Sequence, residues 1–264
     1  MNFDLPYLPQ RASKPRTNGL TMMMDKGLSI RQVEDFIETA GELTDMVKFG
    51  FGTSIISPNL AEKIKLYQNA NIDVYLGGTL FEAFIARNKF DEYQRMLNKY
   101  NINTVEVSDG SIEISHTEKC NYISELNKNF KVLSEVGSKD ANKLIPPYKW
   151  IELMQKELDA GSWKVIAEAR EGGNVGIFRG SGEVRSDLIE EILTKIDNDQ
   201  IIWESPQKTQ QVWFIKLMGS NVNLGNIAFN EVIPLECLRL GLRGDTFFEF
   251  LPEEVEQQLK QKAE

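Results

Sequence analysis

The side chains able to do chemistry recur at the ends of short apolar runs: Asp25 and Lys26, Lys48, Glu106 and Asp109, Glu135 and Lys139, Glu168 and Arg170, Glu204 and Lys208, then Asn221, Asn223 and Asn226. Glu106, Asp109, Glu135, Glu168 and Glu204 come from four successive runs. Gathered in one place, like charges raise one another's pKa unless a cation stands among them. A divalent ion meets that need, and a ligand set made only of oxygen favours Mg²⁺ over zinc. Salt bridges from Arg and Lys to the same carboxylates are the alternative. Lys48, Lys139 and Arg170 each close an apolar run, where a long cation either meets a carboxylate or faces an opening. A lysine so placed could deliver a proton to carbon, form a Schiff base, or simply hold an ion pair.

Other chemistries are excluded by what the chain lacks. His116 is the one histidine, so a His-rich zinc centre is impossible, and no GxSxG elbow accompanies it. His116 reads as a helix-start or surface residue. Cys120 and Cys237 are far apart and without a CxxC spacing, so they read as packing residues rather than a disulfide or zinc pair. A formal net charge of −9 repels polyanions and argues against nucleic acid as a partner. No apolar run approaches the ~20 residues that cross a bilayer, and the first residues lack an export pattern, so the expected location is the cytosol.

Eight β-rich runs position these groups, starting with GLTMMMDKG at Gly19 and ending with SNVNLGN at Ser220. The segments between them are predicted to be helices. Val33, Phe36, Ile37 and Ala40 form one apolar stripe at three- and four-residue spacing, and Leu188, Ile189, Ile192, Leu193 and Ile196 another. Ser29 with Gln32 resembles a capping box, and Asn59 with Glu62 a weaker one. A last helix is predicted around Leu235 to Leu242. Alternating strands and helices force parallel pairing, and eight units in this length predict a single-domain (β/α)8 barrel. A doubly wound sheet is disfavoured because no GxGxxG follows an early strand. Residues 1–18 read as an arm or covering loop, 19–248 as the barrel and 249–264 as a helical tail. In such a barrel all strand ends open on one face, so the groups above converge there. GSNVNLGN and RLGLRGDT, the latter with Arg239 and Arg243, are candidates for anion recognition near the last two strand-helix junctions.

Taken together, the strand-end motifs carry a family resemblance. DKG at 25–27, VKFGFGTS at 47–54, YLGGTLFE at 75–82, VEVSDG at 105–110, EVGSK at 135–139, EARE at 168–171, ESPQKTQQV at 204–212, VNLGNIAFNEVI at 222–233 and LRLGLRGDTF at 238–247 resemble the phosphosulfolactate synthase family. The resemblance spans about Gly19 to Phe247. It implies a (β/α)8 enzyme that adds sulfite to phosphoenolpyruvate with Mg²⁺, a small-molecule lyase-type activity without nucleic-acid or membrane partners, and a homo-oligomer. By matching motifs it makes Lys139 the proton donor. Glu106, Asp109, Glu135 and Glu168 become metal ligands or their neighbours. Lys48 and Arg170 are assigned to the substrate carboxylate or sulfite, and Asn223, Gly225, Asn226, Arg239 and Arg243 to phosphate. The glycine-rich loop EGGNVGIFRGSGEVRS, beginning at Glu171, departs from the pattern. The alternatives are a related barrel of enolate chemistry with another nucleophile, or a non-catalytic ligand-binding or stress-related barrel.

Overall fold

The computed structural model describes residues 3–137, 145–170 and 172–261. All eight expected strands form: β1 (Thr21–Asp25), β2 (Met46–Phe49), β3 (Asp73–Leu76), β4 (Thr104–Val107), β5 (Lys131–Val136), β6 (Lys164–Ala167), β7 (Ile201–Glu204) and β8 (Leu224–Ala228). Each ladder is parallel, and the order β3-β2-β1-β8-β7-β6-β5-β4 wraps the sheet into a nearly closed barrel. β3 and β4 flank the seam, where Thr104 Oγ1 donates to Asp73 Oδ2 at 3.3 Å. Parallel neighbours require long crossovers, and helices supply them: α1 (Ile30–Ala40), α2 (Leu60–Asn69), α3 (Gly78–Ile85), α4 (Phe90–Lys99), α5 (His116–Leu126), α6 (Pro147–Asp159), α7 (Ser186–Leu193), α8 (Lys208–Met218) and α9 (Val232–Arg239). A tail helix, α10 (Glu253–Gln261), follows. Among the described residues no helix is long and apolar enough to cross a membrane.

Strand periodicity divides the core into two. Val47, Phe49, Val105, Val107, Val165 and Trp203 face the helices and join one continuous outer core. Leu20, Met22, Met46, Tyr75, Leu133, Ile166 and Ile202 point inward and fill the barrel. Side chains two residues further along the same strands share the inward face and sit at its carboxyl end.

Three local expectations are corrected. Two helices, α3 and α4, rather than one, join β3 to β4. Ser29 makes its capping box with Gln32, but Asn59 takes a left-handed conformation (φ 56°) and makes no side-chain cap. Most consequential, β8 begins at Leu224, four residues later than the run starting at Ser220 suggests, so Asn221 and Asn223 precede the strand instead of ending it.

The arm behaves as a cover for the amino end of the barrel. Arg11 Nε pairs with Glu236 at 2.9 Å and Arg11 Nη1 donates to the Ser220 carbonyl at 2.9 Å. Arg16 Nε meets Asp45 Oδ1 at 2.7 Å, while Asp45 Oδ2 accepts from Thr21 N at 2.8 Å. A segment without helix or strand is thereby tied to β1 and to α9.

Candidate active site

The inward parity selects which acidic groups meet. Glu135, Glu168 and Glu204 each lie two residues after an inward apolar side chain, Leu133, Ile166 and Ile202 respectively. One carboxylate oxygen from each lies within 4.8 Å of the other two and all three residues are buried, a grouping that one cation could share. Glu106 also points inward and joins them in a cavity of about 190 Å³ that Lys48, Arg170 and Asn226 help to line. Asp109, three residues beyond Glu106, has the opposite parity. It turns outward to Lys119 Nζ at 3.0 Å, so it is corrected from metal ligand to structural partner.

Lys48 stands among the carboxylates. Its Nζ lies 2.9 Å from Glu106 Oε2, 3.3 Å from Glu204 Oε1 and 3.6 Å from Glu135 Oε2. Burial by itself would lower its pKa, but Glu106, Glu204 and Glu135 together hold it well above the ordinary lysine value. The ammonium is therefore permanent. Burial, opposed by Lys48 and reinforced by Glu135, pushes the Glu106 carboxyl up to about 7. Glu204 is raised for the same reasons, moderated by the hydrogen bond its Oε2 accepts from Ala169 N at 2.9 Å. A pocket with this excess of negative groups favours the arrival of positive charge.

Neighbouring segments fix the carboxylates. The first N–H of α3, on Gly78, donates to Glu106 Oε1; a Cβ at Gly78 would stand 2.7 Å from that oxygen, so only glycine lets the helix start this close. Arg170 has φ 55°, unusual for a bulky residue, and its N–H donates to Glu168 Oε1 as the chain turns over the mouth. Behind the barrel, Lys119 Nζ pairs with Glu157 Oε1 at 2.8 Å and donates to the Glu135 carbonyl at 2.6 Å, anchoring the end of β5. His116, the first residue of α5, meets the same Glu157 oxygen at 3.1 Å and takes no part in the mouth.

The five residues expected at phosphate separate. Asn226 lines the mouth, placed there by an irregularity: Thr21 pairs with Leu224 but Met23 with Ile227, so β8 holds an extra residue and Asn226 takes φ 58°. Its Oδ1 is buried without a hydrogen-bond partner among the described residues. Gly225 is inside the wall, where a Cβ would stand 2.7 Å from Met22 Cε, so its role is packing. Asn223 and Arg239 are corrected to the opposite end. Asn223 Oδ1 accepts from Leu20 N at 3.1 Å and its Nδ2 donates to the Ile201 carbonyl at 3.0 Å. Arg239, fully buried at the end of α9, donates to the carbonyls of Ser220, Val222 and Leu20 at 2.7, 2.7 and 3.1 Å. Arg243 lies near Asp245, which Lys208 holds at 3.0 Å, and is not among the residues lining the mouth. Lys139 lies outside the described residues. Glu204, Met24, Phe51, Gly78 and Thr79 complete the pocket beyond the assigned set; for Glu204 the signal was its two-residue offset from Ile202.

Fold and mouth together define a (β/α)8 barrel with a buried carboxylate cluster and flanking cations at the carboxyl end, where barrels of this architecture carry their chemistry. A family model described as (2R)-phospho-3-sulfolactate synthase (ComA) matches residues 9–245. The chain is 42% identical over 244 residues to the phosphosulfolactate synthase of Bacillus subtilis (strain 168), covering 91% of this chain and 97% of that one. It is 46% identical over 235 residues to the phosphosulfolactate synthase of Methanocaldococcus jannaschii, covering 87% and 94%. Among solved structures, 3-hexulose-6-phosphate synthase from Salmonella typhimurium superposes with a TM-score of 0.54 at 12% identity, covering 85% of this chain and 100% of that one, which supports the barrel fold alone. The chain belongs to the phosphosulfolactate synthase family.

Proposed function

We propose that this chain adds sulfite to phosphoenolpyruvate, giving 2-phospho-3-sulfolactate, at the carboxylate-lined mouth. The sulfur lone pair forms a bond to the methylene carbon. The π electrons move onto the adjacent carbon and its carboxylate, and a proton then bonds to that carbon. Developing negative charge therefore has to be stabilised beside the substrate carboxylate. The donor set suits a hard divalent ion, since Glu135, Glu168 and Glu204 converge with no sulfur or imidazole among them. Mg²⁺ held by these three would supply fixed positive charge next to the substrate carboxylate.

The chain's own groups divide the remaining work. Lys48, kept protonated by its three carboxylate neighbours, is a fixed cation in the mouth's wall. Arg170, exposed at the rim, is assigned to the incoming anion. Lys139, three residues after Val136 in sequence, is assigned the proton delivery. Membership in the family carries this reading, and the convergence of Glu135, Glu168 and Glu204 supports it.

The test is to mix the chain with phosphoenolpyruvate, sulfite and Mg²⁺ and follow loss of phosphoenolpyruvate. Sulfite-dependent loss that EDTA abolishes is the expected result, together with loss of turnover in Lys139→Ala. No sulfite-dependent loss, or turnover indifferent to EDTA, contradicts the proposal.

A further inference from the structure

The mouth's cations, Lys48, Arg170 and the divalent ion proposed for it, are already matched by its four carboxylates and leave none over for a phosphate. Glu106, Glu135, Glu168 and Glu204 line it, whereas a phosphate monoester brings a charge of about −1.5 to −2 and three acceptor oxygens. A second cavity, of about 420 Å³, adjoins it, with Met24 and Asn226 lining both. Its lining has the opposite character. Among the described residues Lys26 is its charged member, Gln32, Asn226 and Asn230 are its side-chain amides, and no carboxylate lines it.

From this division of charge we infer that the second cavity is the phosphate subsite, formed by Lys26, Asn226 and Asn230 from the loops after β1 and β8. The inference rests on the reading of the mouth given above and names where the substrate's phosphate sits. Asn226 is the second, independent indication. It is 5% exposed, its Oδ1 has no hydrogen-bond partner among the described residues, and it stands on the wall between the two cavities. A buried polar group without a partner is costly. A carboxamide has an acceptor end and a donor end, so it fits a boundary with positive charge on one side and an anion on the other. The extra residue in β8 that turns Asn226 inward thereby gains a purpose. The site replaces the one expected at Arg239 and Arg243, neither of which lines either cavity. Lys26 is exposed at the rim, suited to meeting a charged ligand that arrives from solvent.

Calorimetric titration of the Mg²⁺-supplemented full chain with inorganic phosphate, and separately with phosphoenolpyruvate, tests the subsite without depending on turnover. Lys26→Met keeps the aliphatic stem and removes the charge; both ligands are expected to weaken by about 10- to 100-fold, as for loss of a hydrogen bond from a charged group. Lys26→Arg restores most of the affinity. Asn226→Gly, which tolerates the positive φ, weakens both ligands too. In turnover the KM for phosphoenolpyruvate rises with Lys26→Met while the KM for sulfite changes little. If wild type shows no sulfite-dependent turnover but phosphate affinity still falls in Lys26→Met, the reaction is wrong and the subsite stands. Phosphate affinity unchanged in Lys26→Met, unchanged in Asn226→Gly, or absent in wild type at millimolar phosphate overturns the subsite.

Discussion

The two ends of the barrel bury similar residue types to opposite effect. At the amino end, Arg239 meets three backbone carbonyls, Asn223 uses both ends of its amide, and Asp45 is held by Arg16 and Thr21 N. At the carboxyl end, Lys48 is shared by three carboxylates, Glu106 is pushed up to about 7, and Asn226 Oδ1 lacks a partner among the described residues. The first arrangement makes nearly all its bonds within the chain, Arg239 Nε alone among these groups standing off at 4.0 Å from Glu236 Oε2. Among the described residues the second is left with more carboxylates than cations and an unanswered acceptor. Buried polarity alone therefore does not mark a site, nor does one unmet atom such as Arg239 Nε; an unmet group beside converging like charges in a cavity does.

Substitutions at the two ends sharpen this contrast. Glu168→Gln at the mouth is expected to lower turnover by at least about 100-fold, the scale of losing one group that stabilises transition-state charge, while the melting temperature holds or rises as like-charge crowding is relieved. Sulfite-dependent assay and thermal unfolding check both. A variant that loses stability in proportion to activity would make Glu168 a structural residue like Arg239. At the other end, Arg239→Met should cost about 3–5 kcal/mol of stability, because three buried carbonyls lose a charged donor. Denaturant unfolding measures it, and the folded fraction should retain its turnover per molecule.

A smaller effect is written in pH. The folded pKa of Glu106, about 7, lies above its ordinary value of 4.5, so the folded state binds this proton more tightly than the unfolded state. Its contribution to stability is thus present below about pH 4.5 and is lost as pH rises through about 7. Without divalent metal, wild type should lose a few kcal/mol of unfolding free energy across this window, and Glu106→Gln should flatten the slope. An unfolding free energy independent of Glu106 over the same range would contradict the crowding. The smallest effect separates two helix starts: Ser29→Ala should cost about 1 kcal/mol. Asn59→Ala removes no cap, so any loss there comes from its left-handed backbone.

Much of this was legible in the sequence. Eight apolar runs separated by helical stripes predict the barrel, and all eight strands form where β propensity and flanking turns place them, β8 excepted. SNVNLGN reads as a strand from its alternation, yet Ser220 to Asn223 carry the carbonyls and amide that Arg239 and Leu20 require, so the ladder starts only at Leu224. That shift of four residues moved Asn223 to the floor and with it the expected anion site. The carboxylates of the mouth were legible through parity: Leu133 to Glu135, Ile166 to Glu168 and Ile202 to Glu204 all step by two, whereas Asp109 is odd relative to Glu106. The bulge at Asn226 had no sequence signal, since it follows from how β1 and β8 pair across the whole barrel.

Titration with Mn²⁺, followed by the loss of its free electron-spin-resonance signal and by Mg²⁺ competition, tests most directly whether the mouth is built for a cation. The account predicts one competable Mn²⁺ per chain, abolished by Glu135→Gln and by Glu168→Gln but retained in Asp109→Asn. Binding that survives both glutamine variants, or vanishes only with Asp109→Asn, would contradict it.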